Sequence, residues 1–213
     1  MAFDLEKLKR SVIDGDTACA LELTRQALAE HEPLDVLINQ GLIAAMSVVG
    51  KLFEEGEFFI PEMLIAARAM QSCMDILKPL LSKTESKPLA TVVLGTVKGD
   101  LHDIGKNLVR MMLQGAGFEV VDLGTDVAPE KFVQAIHEHS AKLVGLSALL
   151  TTTMTSMRAI IEAIEQSGLR DRVKVMVGGA PVTESFARQI KADGYAPDAS
   201  RAVNVAKLLM AAL

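Results

Sequence analysis

The apolar residues of this chain change their spacing at a short polar segment, and this change restricts the fold more than any other feature. Before residue 82 they recur at steps of three and four, which places them on one face of a helix. After residue 88 short aliphatic and β-branched runs alternate with helical stretches. The segment from Ser82 to Pro88 is polar. We therefore predict a first domain over 1–83, a linker over 84–88 and a second domain over 89–213.

The first domain is predicted to be helical. Its apolar stripes place helices near 3–14, 16–30, 33–55 and 60–82. Four such helices joined by short connections are typical of an antiparallel bundle. The sequence therefore predicts an N-terminal four-helix bundle.

The second domain is predicted to be an α/β fold. Strand candidates cover 90–97, 118–123, 143–147 and 173–177, and a weaker fifth lies near Tyr195. Strands that alternate with helices indicate a parallel sheet covered on both faces. Five units of this kind favour a flavodoxin/Rossmann-like, doubly wound, five-stranded sheet, in which ligands bind beyond the carboxyl ends of the strands.

Composition excludes some classes of function. Lys and Arg number 22 against 27 Asp and Glu, giving a net charge of -5, and no basic stripe favours nucleic acid. No apolar run approaches the roughly 18 residues of a membrane span. The two cysteines, Cys19 and Cys73, each lie in an apolar helical stretch and are predicted to be buried free thiols. Together these features predict a cytoplasmic protein without membrane association.

The loop after the first predicted strand runs from Gly95 to Asn107 and resembles two nucleotide-binding loops only superficially. A phosphate-binding P-loop has four residues between its glycines, whereas five separate Gly99 from Gly105. Asn107 also stands where that loop needs a hydroxyl. The glycine pattern of a dinucleotide fingerprint is missing as well. Both nucleotide alternatives therefore fail on spacing.

The same loop contains the pattern Asp-x-His-x-x-Gly, formed by Asp100, His102 and Gly105. A loop histidine is more often solvated or structural than a metal ligand. Two features favour a ligand here: the position at a strand end, and a carboxylate two residues earlier that can accept the second ring N–H. One histidine is too few for a zinc site. If His102 binds a metal, most other ligands must come from a cofactor such as a corrin ring, which supplies four nitrogens and leaves axial positions open.

Three elements of the second domain resemble base-off, His-on cobalamin-binding domains. The first is Asp-Leu-His-Asp-Ile-Gly over 100–105, the second is Gly-Leu-Ser-Ala-Leu-Leu-Thr-Thr-Thr over 145–153, and the third is Gly178-Gly179. The segment from Val48 to Met63 resembles the helical cap of methionine synthase. It also resembles the small corrinoid proteins of methanol, methylamine and methoxy-compound methyltransferase systems, which consist of cap, linker and cobalamin domain. The resemblance covers 3–213.

This resemblance implies roles for individual residues. His102 is the lower axial ligand to cobalt, Asp100 accepts its other ring N–H, and Thr153 stands where methionine synthase has a serine that completes the relay. Around these catalytic positions the resemblance assigns cofactor-binding residues: Gly99, Leu101, Asp103, Ile104 and Gly105 in the histidine loop; Ser147, Leu149 and Thr151 after the third strand; Gly178, Gly179 and Ala199 along the nucleotide tail; and Phe53, Ile60 and Met63 over the upper corrin face.

Several of these positions also have purely structural interpretations. Ser147 and Thr151 could cap the next helix. Gly178 and Gly179 could form an ordinary turn from strand to helix. Phe53 continues the core stripe of its helix, so it could belong to the bundle core alone.

The resemblance implies a methyl carrier that is not catalytic alone. Its cofactor would be cobalamin, as methylcobalamin or cob(I)alamin, or a related corrinoid, with cobalt as the metal. Its partners would be a substrate-specific methyltransferase, a second methyltransferase acting on tetrahydrofolate or coenzyme M, and a reductive activase. Alternatives are an adenosylcobalamin mutase subunit, which lacks the cap, a cobalamin-dependent regulator, whose characteristic Trp is missing here, and a flavin-binding protein, which would leave His102 unexplained.

Overall fold

The computed structural model describes residues 3–81 and 88–213, which divide into two compact units, one helical and one built on a sheet. The helical unit consists of residues before the predicted linker together with Gly115–Gly117, and the rest of the chain after the linker forms the α/β unit. Apart from Pro88, the predicted linker over 84–88 lies outside the described residues.

Within residues 3–81, four helices form the helical unit, as predicted. They are α1 (Leu5–Ile13), α2 (Thr17–Ala29), α3 (Val36–Glu54) and α4 (Ile60–Leu81). The first part of α3, Val36–Ile43, has the wider π-helical turn, and the remainder, Ala44–Glu54, is α-helical. The sequence did not indicate this local widening.

The apolar stripes of these helices meet in a common core. Asp4 and Asp16 cap α1 and α2 by accepting hydrogen bonds from the backbone N–H groups of Lys7 and Cys19. The largest fully buried side chains of this unit are Leu8, Leu37, Leu42, Met63 and Leu77. Burial of this apolar surface, rather than helix propensity, is what stabilises helices of this length.

Helix α3 is long and apolar enough, by length and composition, to cross a membrane, which differs from the expectation drawn from the sequence. The apolar stretch contains polar residues such as Asn39 and Gln40, so it does not appear as an unbroken apolar run. Of its most apolar window, 44% is buried inside the protein. A helix that packs in a protein core passes the same test.

The two cysteines differ in burial. Cys73 lies fully buried in α4, and burial raises the pKa of its thiol more than a hydrogen bond with Thr24 lowers it. Cys19 is only partly buried, so the prediction that both thiols are buried is wrong for this residue. Its place in the first turn of α2 leaves it near the end of the helix, where fewer neighbours cover it.

The α/β unit contains a parallel five-stranded sheet in the order β2-β1-β3-β4-β5. This order is the flavodoxin-like one, so the predicted fold class is confirmed. Its elements are β1 (Thr91–Thr96), α5 (Ile104–Gly115), β2 (Glu119–Asp122), α6 (Pro129–His139), β3 (Leu143–Ser147), α7 (Met154–Gln166), β4 (Lys174–Gly178), α8 (Glu184–Gln189), β5 (Gly194–Ala196) and α9 (Ala199–Ala211).

The register of the sheet brings the strand ends to one level. Thr96 at the end of β1 is paired with Ser147 at the end of β3, and Ser147 is paired with Gly178 at the end of β4. Because β1 lies between β2 and β3, the chain reverses its direction of winding there, and folds of this type bind ligands between the loops that follow the two strands at such a point, here β1 and β3. These two loops are the histidine loop, which contains His102, and the loop that contains Thr151 and Thr153.

Candidate functional site

Asp100 is the centre of the site. Its side chain is completely buried, although it lies in a loop. One carboxylate oxygen accepts hydrogen bonds from the backbone N–H of His102 at 3.1 Å and lies 2.8 Å from its ring Nδ1. The other oxygen accepts from the backbone N–H of Leu149 at 2.7 Å and from the hydroxyl of Thr153 at 2.7 Å. Asp100 therefore joins the loop after β1 to the loop after β3.

These hydrogen bonds keep Asp100 ionised. Burial alone would raise the pKa of its carboxyl, because a charge loses favourable solvation in the interior. The N–H of Leu149, the hydroxyl of Thr153 and the groups of His102 donate to the carboxylate and outweigh that effect. The pKa of Asp100 consequently lies well below its usual range, and the residue is an anion at neutral pH.

The imidazole of His102 has one engaged nitrogen and one available nitrogen. Since the anionic Asp100 can only accept at Nδ1, the proton of the neutral ring resides there, and Nε2 keeps its lone pair. The side chain is 53% exposed, while its carboxylate partner is buried. A histidine oriented in this way by a carboxylate has the arrangement of a metal ligand with its orienting partner.

Thr153 does not cap the helix that follows it. It precedes α7 without a capping hydrogen bond from its side chain. Its hydroxyl lies 2.7 Å from the Asp100 carboxylate and 2.9 Å from the carbonyl oxygen of Leu150, so one proton serves two acceptors. Its extra methyl group, relative to serine, lies 3.6 Å from where a Cβ on Gly99 would be. That distance is an ordinary van der Waals contact, so the methyl group is tolerated, and Gly99 is favoured instead by its φ of 85°. The hydroxyl remains placed for the predicted relay.

Large apolar side chains are exposed around the histidine, which is unusual for a loop surface. Leu101 is 74% exposed and Ile104 is 78% exposed, on either side of His102 in the chain. Leu149 and Leu150, in the loop that donates to Asp100, are also exposed. An apolar surface that surrounds a polar ligand atom is suited to a large, flat and mainly apolar ring.

The glycines of the site differ in whether the packing of the protein requires them. A Cβ on Gly179 would lie 1.9 Å from the carbonyl oxygen of Ala148, and one on Gly178 would lie 2.8 Å from that of Ala196. The packing of neighbouring strand ends therefore already requires both glycines. Gly105, beside His102, has no atom within 4 Å of such a Cβ, so the protein's own packing does not require glycine there.

The remaining predicted residues of the α/β unit occupy several environments. Ser147 is half-buried at the end of β3, and Thr151 is exposed in the next loop. Asp103 is exposed. Its carbonyl accepts a hydrogen bond from the N–H of Asn107, in the first turn of α5. Ala199 is buried as the first residue of α9. Their contacts with a nucleotide tail remain predictions.

The predicted cap residues lie in the helical unit and differ in exposure. Phe53 is half-buried near the end of α3, and Ile60, the first residue of α4, is 47% exposed. Met63 is completely buried. Their proposed role over a corrin face remains a prediction.

Sequence reasoning missed a second set of contacts that hold the histidine loop. The hydroxyl of Thr96 donates to the backbone carbonyl of His102 at 2.8 Å. Asp126, with a left-handed φ of 53°, accepts from the N–H of Gly99 at 2.8 Å. The signal for Thr96 was present in the sequence, because it is a hydroxyl residue in an otherwise apolar strand.

A buried ion pair lies at the start of α5. Lys106 is 2% exposed, and its ammonium group donates to both carboxylate oxygens of Asp122 at 2.6 Å and to Asn107 at 3.0 Å. A lysine in the first turn of a helix opposes the helix dipole. The bond to the end of β2 compensates for that effect and attaches α5 to the sheet.

The arrangement fits a corrinoid better than a bare metal ion. Within residues 3–81 and 88–213, no group of three His, Cys, Asp or Glu side chains is close enough to hold an ion. His102 offers a single nitrogen, and the exposed leucines and isoleucine offer apolar surface. A cofactor that brings its own equatorial ligands needs both and needs no further protein ligand.

Comparison with known proteins agrees with this geometry. A family model described as B12 binding domain matches residues 90–204, and a second model with the same description matches residues 4–78. Dimethylamine corrinoid protein 3 of Methanosarcina acetivorans is 46% identical over 211 residues, which cover 97% of this chain and 99% of that protein.

Two solved structures resemble the whole chain. A cobalamin-binding protein from Desulfitobacterium hafniense superposes with a TM-score of 0.81 at 36% identity, covering 98% of this chain and 99% of that one. The methanol:cobalamin methyltransferase complex MtaBC from Methanosarcina barkeri gives a TM-score of 0.88 at 29% identity, covering 98% of this chain and 80% of that one. These matches decide the ligand class in favour of a corrinoid and against a flavin. The chain belongs to the family of corrinoid proteins with a B12 binding domain, and its cofactor is a cobalamin-type corrinoid.

Proposed function

We propose that this chain carries a methyl group on its corrinoid between two methyltransferases, and that His102 would be the residue that holds the cobalt. The observation that carries the proposal is the pairing of an available Nε2 with a buried carboxylate that fixes Nδ1. The kinship with methylamine corrinoid proteins supports the carrier role, and the likeness to a methanol:cobalamin methyltransferase complex supports a methyltransferase as the partner.

The bound cobalt supplies the nucleophile and the carrier for the methyl group. The residues of the chain control the ligand below it. Asp100 holds the proton on Nδ1 and thereby directs the lone pair of Nε2 outward. When Nε2 gains a proton, the resulting imidazolium stays paired with the same carboxylate, whose charge the hydroxyl of Thr153 and the N–H of Leu149 stabilise.

The apolar surroundings have a separate role in this proposal. Leu101, Ile104 and Leu149 would pack against the corrin and exclude water from the space around His102. For Phe53, Ile60 and Met63, in the helical unit, the family resemblance implies apolar contact with the corrin. Gly105, with open space where a Cβ would stand, leaves room for the ring's edge.

The proposal also covers the methyl donors, the partner enzymes and the cellular location of the protein, in less detail than the cobalt ligand. Dimethylamine, trimethylamine and methanol are the first methyl donors to test, because they appear in the names of related proteins. A methyltransferase acting on tetrahydrofolate or coenzyme M would receive the methyl group, and a reductive activase would restore the cofactor. The two cysteines, which form no disulfide, are consistent with a cytoplasmic location.

The ligand assignment is tested by adding hydroxocobalamin to the apoprotein and recording its visible spectrum and dissociation constant. We expect equimolar binding by the natural sequence. His102→Ala should change the spectrum and weaken binding at least about tenfold, because loss of only the partner that orients a metal ligand already weakens binding by about that much. His139→Ala, an exposed histidine at the end of α6, is the matched control and should bind normally. An unchanged spectrum in His102→Ala would refute the assignment.

The carrier role needs a second experiment. The loaded protein is reduced with titanium citrate and treated with labelled methyl iodide in the dark. We expect an equimolar amount of label to remain with the protein through gel filtration and to be released by light. A loaded protein that takes up no label would contradict the carrier role while leaving the cofactor site intact.

A further inference from the structure

Thr96 is a buried hydroxyl residue of the sheet that contacts the histidine loop directly. It is the last residue of β1 and is completely buried. Its backbone N–H donates to the carbonyl of Gly124, and its backbone carbonyl accepts from Val127. The side-chain hydroxyl is left to donate to the carbonyl oxygen of His102 at 2.8 Å. A buried strand end therefore holds the backbone of the proposed cobalt ligand.

The other contacts of His102 leave its backbone incompletely fixed. Its N–H and its ring Nδ1 both bind the same oxygen of Asp100, at 3.1 Å and 2.8 Å. Two bonds to one atom allow the residue to pivot about that atom. The carbonyl of His102, on the other side of its Cα, is the independent third point. Thr96 supplies the partner at that point, and it comes from the rigid sheet rather than from the loop.

The rest of the loop is held mainly at its beginning. Asp126 accepts from the N–H of Gly99, and its own N–H donates to the carbonyl of Asp100. Ser156 donates from its hydroxyl to the carbonyl of Lys98 at 3.1 Å. These contacts precede His102 in the chain. After His102, the carbonyl and the carboxylate of Asp103 accept from the backbone and side-chain amides of Asn107 in the first turn of α5, whereas Thr96 bonds the backbone of His102 itself to the sheet.

We propose that Thr96 is a positioning residue for His102, which holds the histidine backbone so that Nε2 points to the cobalt of the bound corrinoid. This inference rests on the proposed function, because it assumes that His102 is the ligand. Ligand sites require their supporting contacts to be accurate within fractions of an ångström. Loss of such an outer contact commonly weakens metal binding by about tenfold to a hundredfold.

Substitutions of Thr96 can separate the hydroxyl from the rest of the side chain. Thr96→Val is close to isosteric and removes the donor, whereas Thr96→Ser keeps it. Thr24→Val is the matched control, since Thr24 is also buried and its hydroxyl also donates to a backbone carbonyl, that of Ala20, at 2.8 Å, within helix α2. All variants are made in the full chain and titrated with hydroxocobalamin.

We expect Thr96→Val to weaken hydroxocobalamin binding about tenfold or more and to shift the visible spectrum towards that of His102→Ala. Thr96→Ser should restore both, and Thr24→Val should leave both unchanged. In a chain that already carries His102→Ala, adding Thr96→Val should change the affinity by less than about twofold, because a residue that acts through His102 loses its effect without it. An equal loss of affinity in both backgrounds would show a merely structural role and overturn the proposal.

A measurement on the apoprotein separates this proposal from the assignment of the ligand. The chain has four histidines, so labelling with ¹⁵N-histidine gives few resonances, and His102→Ala identifies the relevant ones. Thr96→Val should shift or broaden the His102 amide resonance and leave those of His137 and His139 unchanged. An unaffected His102 amide would overturn the proposal. An affected amide together with normal cobalamin spectra in His102→Ala would instead refute the ligand assignment.

If Thr96→Val fails to fold, the failure can be detected, and other substitutions can still test the proposal. The only tyrosine, Tyr195, lies in β5, and its fluorescence in urea reports whether the α/β unit is intact. If Thr96→Val does not fold, Thr96→Ala is compared with Thr96→Ser, which differs from it by the hydroxyl alone. We expect the serine variant to bind hydroxocobalamin about tenfold more tightly than the alanine variant, and equal affinities would overturn the proposal.

Discussion

The two units of the chain use buried polar side chains in different ways. In the helical unit the hydroxyls of Ser11 and Thr24 donate to carbonyl oxygens of their own helices, three and four residues earlier. In the α/β unit Asp100 is bonded to Thr153, 53 residues later, and Lys106 to Asp122, 16 residues later. Apart from a hydrogen bond between Thr24 and the thiol of Cys73 in α4, the hydroxyls of Ser11 and Thr24 bond within their own helices. Contacts of the second kind determine where separate loops and elements lie, and the candidate site consists of them.

Two native probes report on the two units separately, which allows this comparison to be tested. Tyr195 is the only tyrosine and the chain has no tryptophan, so intrinsic fluorescence follows the α/β unit. In a Cys19→Ala chain the buried thiol of Cys73 becomes the only thiol, and its rate of alkylation follows opening of the helical unit. The predictions below use the apoprotein and these probes.

The largest effect is expected for Asp100→Ala. This change removes the acceptor of several buried donors, including the N–H of Leu149 and the hydroxyl of Thr153. We expect a loss of about 4 kcal/mol in the free energy of unfolding, because each unsatisfied buried donor costs about 1–3 kcal/mol. Asp126→Ala is the control. It removes an exposed carboxylate of a neighbouring loop with a single bond to Gly99 and should cost about 1 kcal/mol. Equal losses would contradict the central role of Asp100.

Lys106→Met should have the next largest effect. The substitution retains the apolar bulk of the side chain but leaves the carboxylate of Asp122 without its ammonium partner. Breaking a buried pair costs about 3–5 kcal/mol, and we expect about 3 kcal/mol because Asp122 is partly exposed. Urea unfolding followed by Tyr195 fluorescence measures it. The exposed Lys98, changed in the same way, should cost less than about 0.5 kcal/mol.

The same pair should make stability depend on pH. Burial raises the pKa of Asp122, but hydrogen bonds from Lys106 and Gly124 and the charges of Lys106 and Arg110 outweigh it, so the net pKa is lowered. The pKa of Asp122 is therefore lower in the folded chain than in the unfolded chain. Its ionised carboxylate stabilises the folded state fully above the usual pKa range of a carboxyl, and this stabilisation is lost as the pH falls through the pKa of the folded chain. We expect Asp122→Asn to cost about 2 kcal/mol at neutral pH.

The stabilities of the natural chain and of Asp122→Asn are best compared below about pH 4, where carboxyl groups become protonated. There the natural chain should lose stability steeply, and the difference between it and Asp122→Asn should shrink as Asp122 becomes protonated. Asp171→Asn, an exposed aspartate in the turn before β4, serves as the control and should follow the natural chain at every pH. A constant difference between the natural chain and Asp122→Asn across this range would contradict the lowered pKa.

The smallest effect is expected for Ser11→Ala in the helical unit. The serine hydroxyl donates to the carbonyl of Leu8 in the same helix, and alanine is the better helix former. The loss should be below about 1 kcal/mol, measured as a small change in the alkylation rate of Cys73. A loss as large as that of Asp100→Ala would remove the distinction between the two units.

Much of the fold follows from patterns that are local in sequence. The β-branched and aliphatic runs predict β1 to β4 within a residue of their observed ends, because a buried parallel strand needs a continuous apolar run. The steps of three and four predict the four helices, because they place the apolar residues on the helix face that packs in the core. The π-helical turn of α3 was not predicted, since its apolar pattern does not distinguish it from an α-helix.

The candidate site was predictable only in part. Asp100 and His102 are two residues apart, so their hydrogen bond can be inferred from spacing and chemistry. Thr153 was identified through family resemblance, and its bond to Asp100 could not be derived from the chain because 53 residues separate them. The pair of Lys106 with Asp122 was missed because packing against β2 chooses the partner and leaves no periodic signal. Thr96 stands out as a hydroxyl residue in an apolar strand, but its partner, the carbonyl of His102, could not be read from the sequence.

The sequence by itself determined the two-part organisation, the class of each part, and the histidine and carboxylate of the candidate site. These depend on local periodicity and on neighbours in the chain, which the sequence states directly. The tertiary structure alone decided that Asp100 is buried, that it bonds across to the loop after β3, and that Thr96 holds the backbone of His102. The physical reason is that strand order and register bring these groups together, and both are set by the packing of the whole sheet.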